Sequence, residues 1–185
     1  MVYIKQRWSA SFQSIPPSLI IEESYLQTFL HTLDISYIHT KQGILYLSMI
    51  RDLYDNSIVA YKTGTEQTVN LVLDTIRLAM HREKKTVAGE LHLHSDQGFQ
   101  YTSQAYFNLI KSYDITPSMS RRANPYDNAM AENFFSILKA ECIYRHKPAS
   151  FCEANEMIDR YIYFYNHERI QLKTGEPPLT RRLST

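Results

Sequence analysis

His94-Ser95-Asp96-Gln97-Gly98-Phe99-Gln100-Tyr101 is the stretch whose reading decides this chain. Glu90 to His94 has the pattern of a short strand, Leu91 and Leu93 alternating with His92 and His94. Asp96 comes just after that strand and before Gly98, at the carboxyl edge where α/β folds gather their sites. Alone, Asp-Gln-Gly is an ordinary turn. Two further carboxylates change its weight. Glu132 follows after 35 intervening residues, in Asn124-Pro125-Tyr126-Asp127-Asn128-Ala129-Met130-Ala131-Glu132-Asn133-Phe134-Phe135. Asp34 stands earlier, in Leu33-Asp34-Ile35-Ser36-Tyr37-Ile38. An acid in mid-strand among apolar neighbours is costly unless it is paired or holds a metal. Asp52 and Asp55 compete for the same role, but they sit where a strand ends and turns, and acids are common there for turn reasons.

Outward from these residues the chain reads as α/β. Thr32 to His39 is a strand, with Leu33, Ile35 and Tyr37 on one face and Asp34, Ser36 and Ile38 on the other. After the turn Thr40-Lys41-Gln42-Gly43, Ile44 to Arg51 is nearly all apolar, as a strand covered on both faces would be. Tyr54-Asp55-Asn56 turns again into a third strand, Ser57 to Tyr61, and the short turns imply antiparallel neighbours. Val69, Val72, Leu73, Ile76 and Met80 mark an amphipathic helix from near Thr65. With a helix before it, the strand ending at His94 can lie parallel to the first by a right-handed crossover. Thr102-Ser103 caps a helix through Tyr106, Phe107 and Ile110, and Ile115-Thr116-Pro117 is an edge strand, because Pro117 cannot donate to a ladder. Asp127 or Asn128 caps a helix running to about Tyr144, and a last helix spans Glu153 to Tyr165. On the former, Asn128, Glu132, Ser136 and Lys139 form one stripe, and Phe134, Leu138 and Cys142 form an adjoining face for the sheet.

At 185 residues the expectation is one domain with a substantial core. A net charge of +1 does not announce a nucleic-acid binder, although basic residues cluster locally at Arg121-Arg122 and Arg145-His146-Lys147. Cys142 and Cys152 have neither zinc-ligand spacing nor a disulfide framework; they read as small apolar residues in a reducing cytoplasm. No apolar run reaches membrane-spanning length, and the N-terminus lacks a signal-peptide pattern.

His-Ser-Asp-x-Gly-x-Gln-Tyr, followed by Asn-Pro-Tyr-Asp-Asn-Ala-x-Ala-Glu-x-Phe-Phe, resembles the catalytic core of the DDE transposases of bacterial insertion sequences, relatives of retroviral integrases. Tyr165-Asn166-His167-Glu168-Arg169 and Pro177-Pro178-Leu179 are similar to that family's tail. The resemblance implies a ribonuclease-H-like α/β fold, a five-stranded mixed sheet flanked by helices. It divides the chain into an atypical leader over residues 1–30 and a core with a helical extension over 31–185. It implies that Asp34, Asp96 and Glu132 hold two Mg²⁺ or Mn²⁺ ions, hard cations suited to oxygen ligands and phosphate substrates. It also implies double-stranded DNA as partner, both element ends and target, nicking followed by strand transfer, and a homo-oligomer on DNA in the cytoplasm, at the nucleoid when DNA-bound.

Other residues carry two readings. Lys139, Arg121 and Arg122 can grip phosphate or be solvated surface; Asn124 and Asn128 belong to the same DNA-facing loop and helix start. His94 and Gln100 can position phosphate or a bound water, or His94 can be packed; Tyr101 can stack on DNA or pack. Arg169 can touch DNA or anchor the last helix, and anchoring is preferred. Two features depart from the resemblance. His31 stands where a tryptophan usually precedes the first Asp, and residues 1–30 do not read as a helix-turn-helix. A truncated or partly out-of-frame product would explain both, and motivates the alternative of a degenerate copy that binds DNA or a full-length partner without cutting. A cellular ribonuclease-H-like nuclease is a third reading, which the Asn-Pro-Tyr-Asp-Asn-Ala motif disfavours.

Overall fold

The computed structural model describes residues 30–83, 91–120 and 129–183. It is a five-stranded sheet in the order β3-β2-β1-β4-β5, with helices on both faces. β1 (Leu30–Thr40), β2 (Gly43–Asp52) and β3 (Ile58–Gly64) form an antiparallel meander. α1 (Val69–Arg82) then crosses to β4 (His92–Ser95), which pairs parallel to β1. α2 (Gln104–Ser112) leads to the edge strand β5 (Thr116–Met119), parallel to β4. The three-plus-two strand pattern expected from the sequence is therefore present.

Local chemistry sets the boundaries. α1 starts at Val69, later than the apolar periodicity alone suggests, because the Thr68 side chain accepts the N–H of Leu71. Ser103 caps α2 in the same way through Tyr106. The β2–β3 turn carries Asn56 at φ 69°, a conformation asparagine tolerates. Buried Arg51 fixes it, donating to the Asn56 side-chain oxygen at 2.9 Å and to the Tyr165 hydroxyl at 3.2 Å.

The two faces of the sheet carry separate cores. Leu33, Ile50, Val59 and Leu93 pack with Val72 and Ile76 of α1 and Tyr106 and Ile110 of α2. Ile38, Leu45, Leu47 and Met49 pack on the other face with Phe134, Leu138, Ile158 and Tyr165. Those last four lie on α3 (Ala129–Leu138) and α4 (Phe151–His167). The apolar stripe expected along β1 stops short: Leu33 is fully buried, but Tyr37 is 52 % exposed. Between the two helices the backbone changes period. α3 runs into a π-helical stretch, Lys139–Ile143, and ends in one α turn, Tyr144–His146. A short α5 (Pro178–Leu183) closes the described chain. Both cysteines are free; Cys142 packs against the core as expected, whereas Cys152 is exposed, placed on the outer side of α4. Among the described residues no helix is long and apolar enough to cross a membrane.

Candidate active site

The β1–β4 register brings the first two carboxylates together. Leu30 pairs with His92, His31 with Leu93 and Thr32 with His94. Two residues further along each chain stand Asp34, within β1, and Asp96, in the turn just past the end of β4. Asp34 is only 9 % exposed, and its Oδ1 accepts the N–H of Ile35 at 2.7 Å. Asp96 Oδ1 accepts the N–H of Gly98 at 2.8 Å, which aims the carboxylate from the turn after β4. Tyr101 registers both. Its ring is 2 % exposed, and its hydroxyl has no hydrogen-bond partner. Burial, then the negative charges of Asp34 and Asp96, hold that phenol well above its ordinary pKa. Of its two readings Tyr101 therefore packs, edge-on to Tyr106 with ring centres 6.0 Å apart; stacking on a base is closed to a ring so placed.

Gly98 allows this crowding. A Cβ there would lie 3.0 Å from both Asp96 Oδ1 and Gln100 Oε1. Gln100 is itself buried, with its amide nitrogen unpartnered. We expect Gly98→Ala to leave the melting midpoint near wild type while lowering the rate of the reaction that the Asp96 carboxylate serves by about tenfold or more, since small displacements of a reacting group are costly. A large fall in the midpoint with rate per folded molecule unchanged would assign Gly98 to stability alone.

The remaining candidates separate. His94 is 8 % exposed, with Nδ1 at 3.0 Å from Ser118 Oγ and Nε2 at 3.0 Å from Ser120 Oγ. Those contacts make it a brace between β4 and the β5 end; the packed reading fits, and both it and Gln100 lie too deep for direct phosphate contact. Glu132 is exposed in the first turn of α3, the helix that packs against β1. Among the described residues no three His, Cys, Asp or Glu side chains gather closely enough to hold a metal ion, so Glu132 does not join the Asp34–Asp96 pair in this conformation. Lys139 lies with its Nζ 4.5 Å over the Tyr37 ring, a cation–π contact, rather than against an acid. Arg121, Arg122, Asn124 and Asn128 fall outside the described residues, as does the leader up to residue 29.

Asp52 and Asp55 lie in a different cluster. β1 pairs with β2 so that Asp52 faces His31, while Asp34 faces Met49. Burial, then repulsion from Asp55, raises the Asp52 carboxyl to about 7. Burial, then the charge of Arg182, lowers His31 to about 3. His31 Nε2 lies 3.8 Å from Asp52 Oδ2, within ion-pair reach, yet the ring is neutral at pH 7 and neither nitrogen is hydrogen-bonded. The contact is not an ion pair. The folded chain thus keeps the Asp52 proton to about pH 7, whereas the unfolded chain releases it near 3.8. Stability should fall as pH rises between those values and level off above. Asp52→Asn retains an acceptor for the N–H groups of Tyr54 and Asp55 and cannot ionise. It should unfold at higher denaturant at pH 8, by roughly 1–3 kcal/mol, and match wild type near pH 4. An identical difference at both pH values would show that ionisation is not the cause.

The tail residues anchor, as preferred. Arg169 donates to both Glu141 oxygens, Nη2 to Oε1 at 2.6 Å and Nε to Oε2 at 2.9 Å, and Tyr161 donates to the same carboxylate at 2.6 Å. Asn166, which sequence reasoning had grouped only with its neighbours, accepts the N–H of Ile58 at 2.9 Å and donates to its carbonyl at 3.0 Å, fixing the start of β3.

Compared with known proteins, residues 30–125 match the integrase core domain family, and residues 113–170 match a second integrase core domain description. An uncharacterized transposase-like protein of Haemophilus influenzae is 38% identical over 152 residues, 82% of this chain and 69% of that protein. The putative transposase InsK for insertion sequence element IS150 of Escherichia coli is 37% identical over 76% of this chain and 50% of its own length. The transposase for insertion sequence element IS904 of Lactococcus lactis is 38% identical over 74% and 54%. The chain thus spans about two thirds of the first and about half of the other two. Among solved structures, the catalytic core domain of BIV integrase superposes with TM-score 0.65 at 20% identity, covering 85% of this chain and 95% of that one. The HTLV-2 integrase catalytic core domain in complex with magnesium gives 0.64 at 14%, covering 83% and 95%. At those identities the likeness is one of fold, and the fold is the ribonuclease-H-like one.

Proposed function

This chain belongs to the integrase core domain family, and from that premise we propose that it is the catalytic core of an insertion-sequence transposase that nicks DNA at an element end and joins the freed 3′-hydroxyl to target DNA. The observation that carries the reading is that Asp34, within β1, and Asp96, just past the end of the neighbouring parallel strand β4, both bear on the unpartnered Tyr101 hydroxyl. That donor set is all oxygen, which fits Mg²⁺ or Mn²⁺. Bound there, two such ions supply activation of the attacking oxygen and neutralisation of charge on the leaving one.

The protein's own part is positional. The N–H groups of Ile35 and Gly98 each fix one carboxylate oxygen, Asp34 Oδ1 and Asp96 Oδ1. Glu132 is the third ligand of this reading, and its turn of α3 has to close on the pair when substrate is in place. Double-stranded DNA, as element end and as target, is the substrate, and a homo-oligomer would hold two ends together.

Strand transfer onto target DNA by the purified chain, using an oligonucleotide that ends in the neighbouring inverted repeat, tests this. Joined product with Mg²⁺ or Mn²⁺, none with EDTA and none from Asp96→Asn is the expected result. A folded, metal-binding protein that forms no product would overturn it in favour of a copy that binds DNA or a full-length partner without cutting.

A further inference from the structure

Beyond the carboxylates, β1 runs on into a groove of about 430 Å³ between the β1–β2 hairpin and the end of the α3 rod. Its walls carry Tyr37, Lys41, Lys139, Tyr144 and Lys147, and among the described residues no acidic one lines it. Tyr37 and Tyr144 are 52 % and 64 % exposed, like Phe99 and Tyr163 elsewhere on the surface, but they alone stand beside lysines in this groove. The walls are braced. Lys41 donates its N–H to the Pro148 carbonyl at 3.3 Å, and Phe151 donates to Gln42 Oε1 at 2.8 Å. The Tyr37 ring is held between the Lys139 ammonium and the His39 ring, whose centre lies 5.3 Å away.

We infer that this groove is a binding site for single-stranded DNA, phosphates on Lys41 and Lys147 and bases against Tyr37 and Tyr144. Ammonium groups hold phosphate as point charges, and exposed aromatic faces accept any base, so such a site tracks a strand without reading its sequence. A duplex would keep its bases stacked on each other and leave the rings unused. The inference rests in part on the function proposed above, which fixes where the strand comes from. The groove opens at the hairpin end of β1, the strand that carries Asp34. A frayed strand flanking the cut would reach it.

Fluorescence anisotropy with a labelled oligothymidylate of about 12 nucleotides, in EDTA and across a salt series, tests this on the whole chain. The double variant Lys41→Glu/Lys147→Glu should bind at least about tenfold more weakly with a shallower salt dependence. Tyr144→Ala should lose about fivefold or more. Lys111→Glu, exposed on α2, should stay within about twofold. All four side chains are exposed, so the fold should survive. Equal binding by the double variant and wild type, or equal losses for a duplex of the same length, would overturn the inference. Asp96→Asn separates the two readings. If it binds the oligothymidylate normally while wild type fails at strand transfer, the groove stands and the catalytic proposal falls. If strand transfer is normal in the double variant and single-strand binding is unchanged, the reverse holds.

Discussion

Asp34→Asn is expected to lower metal-dependent strand transfer by about a thousandfold, whereas Asp52→Asn should leave it within about twofold. A ligand to a catalytic cation contributes several kcal/mol of charge stabilisation in the transition state, and roughly 4 kcal/mol corresponds to that factor. The contrast follows from the register. Asp34 stands in β1 beside the β4 end that leads into Asp96, while Asp52 lies level with His31, three residues back, in a buried cluster with Asp55 and Arg182. A readout independent of turnover sharpens the comparison: Mg²⁺ or Mn²⁺ should raise the melting temperature of wild type and of Asp52→Asn but not of Asp34→Asn. Normal strand transfer by Asp34→Asn would remove it from the site, whatever its neighbours do.

The second large effect concerns stability. Arg182, on α5, donates through Nη2 to both Glu83 oxygens at 2.6 Å and holds Nε 3.7 Å from Asp55 Oδ2. Asp55 is 1 % exposed, and that Oδ2 has no hydrogen bond. Removing the guanidinium strands a buried carboxylate at the bottom of the β2–β3 turn and a mostly buried one at the end of α1. Arg182→Ala should therefore cost about 3 kcal/mol, the low end for breaking a buried pair because the arginine side chain is 30 % exposed. For a chain of this size that is a fall of very roughly 10 °C in melting temperature. Thermal or urea melts decide it, and a shift under about 2 °C would reduce the contact to a surface pair.

Both predictions use contacts that differ in how readable they were. The strand order and the meeting of Asp34 with Asp96 follow from short-range pattern: alternation, turn residues and a helix forcing a parallel return. Arg182 to Asp55 and Glu83 joins residues about a hundred positions apart, and nothing local in Thr180-Arg181-Arg182-Leu183 distinguishes the arginine that turns inward. Tyr101 illustrates the other limit. Its spacing from Asp96 suits a DNA contact, but the same spacing, through the Gly98 turn, brings the ring under both carboxylates. The stripe Glu132–Lys139 was drawn on a regular helix, and the helix ceases to be regular at Lys139.

That change of period divides labour along a single rod. A π turn takes in an extra residue, which rotates everything after it by about 100° relative to an uninterrupted α-helix. Before it, Phe134 and Leu138 face the sheet; within it, Glu141 faces Tyr161 of α4 and Arg169 just beyond that helix; after it, Tyr144 and Lys147 face the groove. Excising one residue, for instance exposed Ala140, would restore the ordinary period and swing Ile143 out of the core, so the extra residue is what lets one rod serve the sheet, α4 and the groove at once.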